Sequence, residues 1–394
     1  MLTHANRIEY SIADPYPYYH WLRSNAPVYQ VAENAWMITR YDDAAMLLGD
    51  KRCSHWGQDN NAFQQMNPME REIAKTLHAL APGSEPAFRK QIMHQLAGRS
   101  NNIDAQSMQS QANDILNGLK TFNEIDFMQH YAHPFTFGAI CRVMGVAEDD
   151  IDALSHIVAG MKGSYLRFVS TEAMPMNDEG LLFLEAMQKL VRLKQQQPAS
   201  DLCSSILAVC PLDETNESFI VSLVVLLFYA GHLNMMNFMG NAILALEHRL
   251  DEQTQIRNNL SLAIESVDEF IRYDSSLQTI MLVAKEDILL HGKLIAAGSQ
   301  LLINVGAANR DPEKFHAPDA LVLSRKPLHL GFGTGPFRCV GARLAQIQGG
   351  VGLHCFMKHV GSYTTVQENV SWGNYLVQRG PSSVPLKINW NYGN

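Results

Sequence analysis

Between Glu214 and Leu250 the chain carries its strongest helical pattern, and that pattern stays apolar on almost every side. Leu223, Leu226, Leu227 and Ala230 recur at helical spacing within it. A helix without a polar face has no place at a surface, so it must run through the protein centre and be covered all round. The rest of the chain has to supply that cover. Of its 394 residues, 46% are apolar, enough for a substantial core. Charged residues, at 18%, fall below the usual share of about 25%, so more side chains than usual face inward. The longest apolar run, Phe219 to Gly231, is 13 residues with Ser222 inside it, against the roughly 20 residues needed to span a bilayer. The N-terminal stretch MLTHANRIEYSIADPYPYYH lacks a basic-then-apolar signal pattern. The expectation is a soluble, cytoplasmic protein without a membrane anchor.

Helical patterns dominate from about 88 to 275, and Asp149–Asp150 are placed to cap one of these helices. Asp42 to Gly49 reads as a short helix. The segment VYQVAENAWMITR reads as two short strands around a turn at Glu33–Asn34. After Asp268 apolar runs alternate with glycine-containing turns, and the tail from Ser362 is again strand-like. The fold class is mainly α with a minor β region, the β-rich parts lying at about 27–40 and 277–305. Length alone allows two or three domains, or one large domain around a buried cofactor; a single domain over 1–394 is the expectation. The net charge of −8 argues against a nucleic-acid backbone as partner. The six cysteines are scattered with no CxxC pair, so neither a zinc knuckle nor a disulfide framework is suggested. Reduced thiols fit the cytoplasm.

One of those cysteines stands in unusual company. In HLGFGTGPFRCVGARLAQIQGG, His329 to Gly350, three glycines (Gly331, Gly333, Gly335) and Pro336 precede Cys339. Glycine permits backbone shapes that other residues avoid, so a tight irregular loop is predicted. VGARLAQIQ then turns helical, which puts Cys339 at a helix N-terminus, where a thiol pKa is lowered. Free N–H groups there can also hydrogen-bond the sulfur. A lone thiolate cannot build a zinc site, but it can be the single protein ligand of a haem iron.

The full spacing Phe332-Gly333-x-Gly335-x-x-x-Cys339-x-Gly341, with Ala342 and Ala345, resembles the haem-binding loop of the cytochrome P450 family, in its soluble bacterial form. Glu269 and Arg272 in ESVDEFIRYDSS resemble the family's ExxR motif, and Arg325 occupies the place of the further Arg that joins the pair. ANRDPEKF (Ala308 to Phe315) and Ala230-Gly231-His232 also match, and the likeness runs in order from about Asp14 to Gly380. The resemblance implies a P450 fold with haem b buried between the long central helix and the Cys-bearing loop 329–345. It implies Cys339 as axial ligand of the iron. Arg89 and His329 would pair with haem propionates, and Phe332, Gly333, Gly341 and Ala230 would border the haem. Arg338 would add a propionate contact or face a redox partner. Glu269, Arg272 and Arg325 would hold the fold around the loop.

The sequence also departs from the family. The acid–alcohol pair that relays protons in the central helix is replaced by Leu233 and Asn234. Leucine relays nothing; asparagine can hydrogen-bond or hold a water but does not titrate near neutral pH. Propionate partners are replaced by Phe337, Leu282 and Glu85. The resemblance therefore implies a monooxygenase in which Asn234, Gly231 and His232 form the catalytic helix face and the substrate assists proton delivery. It leaves open a peroxide-using enzyme, one performing coupling, desaturation or rearrangement, a haem-bearing binding or recruitment protein with little turnover, and a degenerate relative that no longer retains haem. The pocket is expected from the Cys53–Leu80 region, Gly160 to Met187, the central helix and the strand near Gln278 to Leu282. Leu226, Leu233, Met235, Ile280 and Leu282 are the candidate lining residues, with Met161, Met174, Met176, Met236, Met239 and Met281 as further adaptable apolar groups. Implied partners are a small-molecule substrate, free or tethered to a carrier protein, and a ferredoxin or flavodoxin; neither nucleic acid nor membrane is expected. Secondary-metabolite biosynthesis is the setting the family suggests.

Overall fold

The computed structural model describes residues 9–55, 94, 105–161, 178–213, 216–335, 338–373 and 377–391. Arg89, Glu85, Phe337, Met174, Met176 and most of the Cys53–Leu80 stretch lie outside them.

The apolar pattern forms one 30-residue helix, Glu217–Leu246. Length and composition alone would let it cross a membrane, yet most of it is buried inside the protein. It lies between two cores. On one side Phe238 and Met239 pack with Phe127, Tyr131, Phe135 and Phe356; on the other, Leu223, Val224 and Phe228 pack with Phe137, Phe183 and Ile206. Burial of both faces is what an all-round apolar helix demands.

Helix Ala342–His359 crosses the central helix closely because glycines line it. A Cβ on Gly349 would lie 2.7 Å from Phe238 of the central helix, and one on Gly350 would lie 2.4 Å from the backbone of Ile264 on a neighbouring helix, Leu260–Glu265. Helix His133–Met144 packs against both the central helix and Ala342–His359 and ends at Gly145, whose φ of 86° stops it in a left-handed turn. Asp149 and Asp150 do not cap a helix: they sit in the first turn of Glu148–Gly160, after Ala147, where their charge suits the helix dipole.

The two β-rich parts share one five-stranded sheet, apart from the hairpin Ile288–Leu290 and Lys293–Ile295, which pairs with itself. The order of the sheet is Val28–Ala32, Ala35–Ile38, Gln300–Asn304, Thr279–Ala284 and Cys53–His55. Ala35–Ile38 pairs in parallel with Gln300–Asn304; the other pairings are antiparallel. Beneath it Trp36, Ile38, Leu282, Leu301 and Ile303 build a third core with Leu47 and Phe315. The tail forms a second sheet, with Pro385–Trp390 between Glu124–Asp126 and Val360–Thr365.

Candidate functional site

The cysteine loop is held from below by a buried ion pair. Glu269 and Arg272 lie three residues apart on helix Val267–Tyr273, with both side chains at 0% exposure. Arg272 Nε and Nη2 donate to the two Glu269 carboxylate oxygens at 2.7 and 2.9 Å. Its remaining donors reach the carbonyls of Asn309 (3.1 Å), Pro318 (2.7 Å) and Ala320 (2.9 Å), so all five N–H groups are used. Arg325 Nε joins Glu269 at 3.1 Å. Asn309 passes the constraint on: its Oδ1 accepts the Leu330 N–H at 2.7 Å, immediately before the loop. Gly333 and Gly335 have φ of 65° and 55°, which side chains with a Cβ rarely adopt. Gly331 is needed for a different reason, since a Cβ there would meet Ile271 at 2.3 Å. The Cys339 N–H closes the loop on the Phe332 carbonyl at 2.7 Å.

Cys339 is exposed toward a cavity of about 320 Å³ that it borders, with protein packed around it on its other sides. From the loop side the cavity is bordered by Phe332, Gly333, Cys339, Val340 and Gly341. From the central helix it is bordered by Leu227, Ala230, Gly231, Asn234, Met235 and Phe238. Its lining is predominantly apolar, with no charged side chain among the described residues. Burial pushes the Cys339 thiol above its ordinary value; the Gly341 N–H and the Arg338 charge pull the other way and do not overcome it. The expected lowering by a helix N-terminus is therefore not found. The helix starts only at Ala342, with Gly341 as N-cap, so the sulfur lies outside its first turn. A cation beside the sulfur reverses such a balance.

These residues fit a haem. The donor set is one thiolate, and no group of three or more His, Cys, Asp or Glu side chains placed for a metal ion occurs among the described residues. A single sulfur ligand suits an iron whose in-plane ligands come from the cofactor itself. Glycine and alanine at 230, 231, 333, 341 and 345 keep the cavity walls low around that sulfur.

Several expected residues stand elsewhere. His232 is 2% exposed and turned away from the cavity, where it meets His133 (3.2 Å) and Thr136 (3.0 Å). Leu233 is buried in the second core, Leu226 packs against that core, and Leu282 is buried under the sheet; none of the three lines the cavity. Met161 and Met239 are likewise core residues, whereas Met235 and Ile280 line the cavity as expected. His329 is engaged by Asp268 at 3.3 Å and accepts the Gly331 N–H at 3.1 Å, so it braces the loop from outside the cavity. Burial pushes the Asp268 carboxyl up, but hydrogen bonds from His329 and Gln346 and the charge of Arg338 outweigh it and hold the group below its ordinary value. Arg338 is exposed and does not line the cavity.

Other lining residues escaped the sequence reading: Ile140, Leu202, Ser275, Ser276, Leu277 and Gln348. Gln348 was within reach of it, because Gly341, Leu344, Ala345 and Gln348 form one helical stripe. Ser275 Oγ is buried without a hydrogen-bond partner. Asn234 is tied at both ends of its amide: Nδ2 donates to the Ala230 carbonyl at 3.3 Å, and Oδ1 accepts from Gln378 Nε2 at 3.2 Å.

Comparison with known proteins agrees with this geometry. The Cytochrome P450 family profile matches residues 220–361, which include the central helix, the Glu269–Arg272 pair and the cysteine loop. A putative cytochrome P450 133B1 of Xylella fastidiosa is 28% identical over 355 residues, covering 86% of each chain. The polyketide biosynthesis cytochrome P450 PksS of Bacillus subtilis is 26% identical over 367 residues, covering 90% of this chain and 89% of its own. Among solved structures, P450BioI in complex with an acyl carrier protein ligated to hexadec-9Z-enoic acid superposes with a TM-score of 0.81. That match is 23% identical and covers 96% of this chain and 98% of the other.

Proposed function

The chain belongs to the cytochrome P450 family, whose members are oxidoreductases carrying haem b, and from that premise we propose that it is a monooxygenase of a small, largely apolar organic molecule. One observation carries the reading: Cys339 borders an apolar cavity that the central helix borders at Ala230 and Gly231. Cys339 would hold the haem iron, with Phe332, Gly333, Gly341 and Ala230 around it. When bound, haem supplies the place where dioxygen is split, one oxygen atom entering the substrate and the other leaving as water with two electrons and two protons. A ferredoxin or flavodoxin brings the electrons.

The chain's own residues bind, orient and hold water. Leu227, Ile140, Leu277 and Ile280 take the apolar body of the substrate and exclude bulk water. Asn234 can anchor a water but cannot titrate, so a hydroxyl or carbonyl of the substrate completes the hydrogen-bond path. Ser275 Oγ, buried and unpartnered, offers such a group a hydrogen bond. The likeness to a polyketide-biosynthesis P450 and to a P450 bound to an acyl carrier protein supports a secondary-metabolite substrate, free or carrier-tethered. The six unpaired cysteines are in keeping with a reducing cytoplasm.

The test is the absorption spectrum of the purified protein after dithionite reduction and carbon monoxide addition. A thiolate-ligated complex gives a strongly red-shifted Soret band, which Cys339→Ser removes. An unshifted band in the unsubstituted protein would remove the thiolate from the reading.

A further inference from the structure

A side chain from the far end of the sequence reaches the cavity wall. Gln378 is 7% exposed, and its backbone forms a bridge with Leu277, a cavity residue. The segment around it is fixed on both sides. The Gln278 N–H donates to the Val377 carbonyl at 2.7 Å, and the Arg379 N–H to the Ser276 carbonyl at 2.8 Å. Asn241 Nδ2, on the central helix, donates to the Arg379 carbonyl at 3.2 Å, and the Arg379 guanidinium pairs with Asp274. From this braced position Gln378 Nε2 donates to Asn234 Oδ1 at 3.2 Å.

The direction of the Asn234 amide follows from its neighbours. The Ala230 carbonyl is an acceptor only, so the group facing it must be Nδ2. That leaves Oδ1 toward Gln378, which must then present its own nitrogen. A reversed Asn234 amide would set oxygen against oxygen at Ala230. The two bonds leave one N–H of Nδ2 and one lone pair of Oδ1 for a water or ligand, in a fixed direction.

We infer that Gln378 is a positioning residue of this P450: it locks the Asn234 amide at the cavity wall and thereby sets where a water can be held there. The inference rests on the reading of Asn234 as part of the proton path. Asparagine has no proton of its own to give near neutral pH, so its contribution depends on holding a water in one place. An amide free to turn about its side-chain bonds loses that placement, and an anchored partner supplies it.

The holoenzyme tests this without knowledge of its substrate. Reduced by a surrogate ferredoxin in air, it converts dioxygen, two electrons and two protons to hydrogen peroxide. The rate of peroxide release and its solvent deuterium isotope effect report proton access. Gln378→Leu and Gln378→Met, two donor-less variants of similar length, should raise peroxide release by roughly 5-fold, the scale of one lost hydrogen bond, and alter the isotope effect. Both effects should vanish in an Asn234→Ala background. Thermal midpoints of the holoenzyme should be non-additive across Asn234→Ala, Gln378→Leu and the double variant. Unchanged peroxide release and isotope effect in both Gln378 variants, or equal effects with and without Asn234, overturn the positioning role. If Asn234→Ala alone changes nothing, the proton-path reading of Asn234 falls, and this inference falls with it.

Discussion

His133 and His232 face each other with ring centroids 4.9 Å apart, and one arrangement of protons that satisfies their hydrogen bonds runs as a chain from Thr136 to Ser155. The Thr136 hydroxyl donates to the Ala132 carbonyl at 2.7 Å, so it accepts from His232 Nδ1. His232 Nε2 must then accept from His133 Nδ1, and His133 Nε2 accepts the Ser155 hydroxyl at 2.9 Å. Each ring is neutral, and a further proton on His232 Nε2 would point at the N–H of His133. Burial, reinforced by the neighbouring His133, holds His232 well below the ordinary histidine range. Burial and the nearby His156 lower His133 too, with Ser155 opposing. The unfolded chain therefore takes up these protons at higher pH than the folded one. Stability from the pair is full above the unfolded value of about 6.5 and is lost as pH falls below it. The thermal midpoint should decline between about pH 7.5 and 5.5, and His232→Gln, which keeps a donor for Thr136, should flatten that decline. An unaltered slope would place the titration elsewhere. That His232 points away from the cavity follows once Ala230 and Asn234 are seen to line it. It lies two residues from both Ala230 and Asn234, hence on the opposite side of the helix.

At the scale of elements, the central helix shows what its own sequence conceals. Leu227, Ala230, Gly231, Asn234, Met235 and Phe238 face the cavity at intervals of three and one, a regular helical stripe. Because every side of this helix is apolar, no polar face sets its phase, and Leu226 and Leu233 are as hydrophobic as the residues that do line the cavity. Burial was readable; direction depended on neighbours far away in sequence. The glycines of Ala342–His359 carry the complementary information. Gly350→Ala would drive a Cβ into the Ile264 backbone, 2.4 Å away, and backbone cannot step aside. Gly352→Ala would first meet side chains rather than backbone, the edge of the buried Phe135 ring at 2.6 Å and the end of Met239 at 2.9 Å, and the Met239 end can bend away. We expect Gly350→Ala to cost about 1–3 kcal/mol in denaturant unfolding, in the range for overpacking, and Gly352→Ala to cost less. Equal costs would mean that the helices slide apart as rigid bodies.

For the molecule as a whole, the Glu269–Arg272–Arg325 group joins the helical part to the loop. The sequence showed the pair and the third arginine. It did not show that Asn309, Pro318 and Ala320 complete the shell of Arg272, since backbone carbonyls leave no trace in residue identity. Glu269→Ala takes the carboxylate from the fully buried Arg272 guanidinium and from the half-buried Arg325, so a loss of about 3–5 kcal/mol is expected, by analogy with other broken buried pairs. Denaturant midpoint and the ratio of haem to protein absorbance should fall together; a midpoint that holds would mean solvent reaches Arg272 at little cost. The strand patterns at 27–40 and 277–305 were equally plain, whereas their union in one sheet was not, because a strand's residues specify its faces and not its partner. That union bears on how the protein is made. The early hairpin, Val28–Ala32 with Ala35–Ile38, is complete soon after synthesis begins, but its parallel neighbour Gln300–Asn304 leaves the ribosome only when most of the chain has been built. Throughout that interval one strand edge waits without its mate, ready to pair with another nascent copy. A chaperone covering that edge until Gln300–Asn304 emerges would raise the yield of soluble protein, whereas slower translation would lengthen the exposure and lower it.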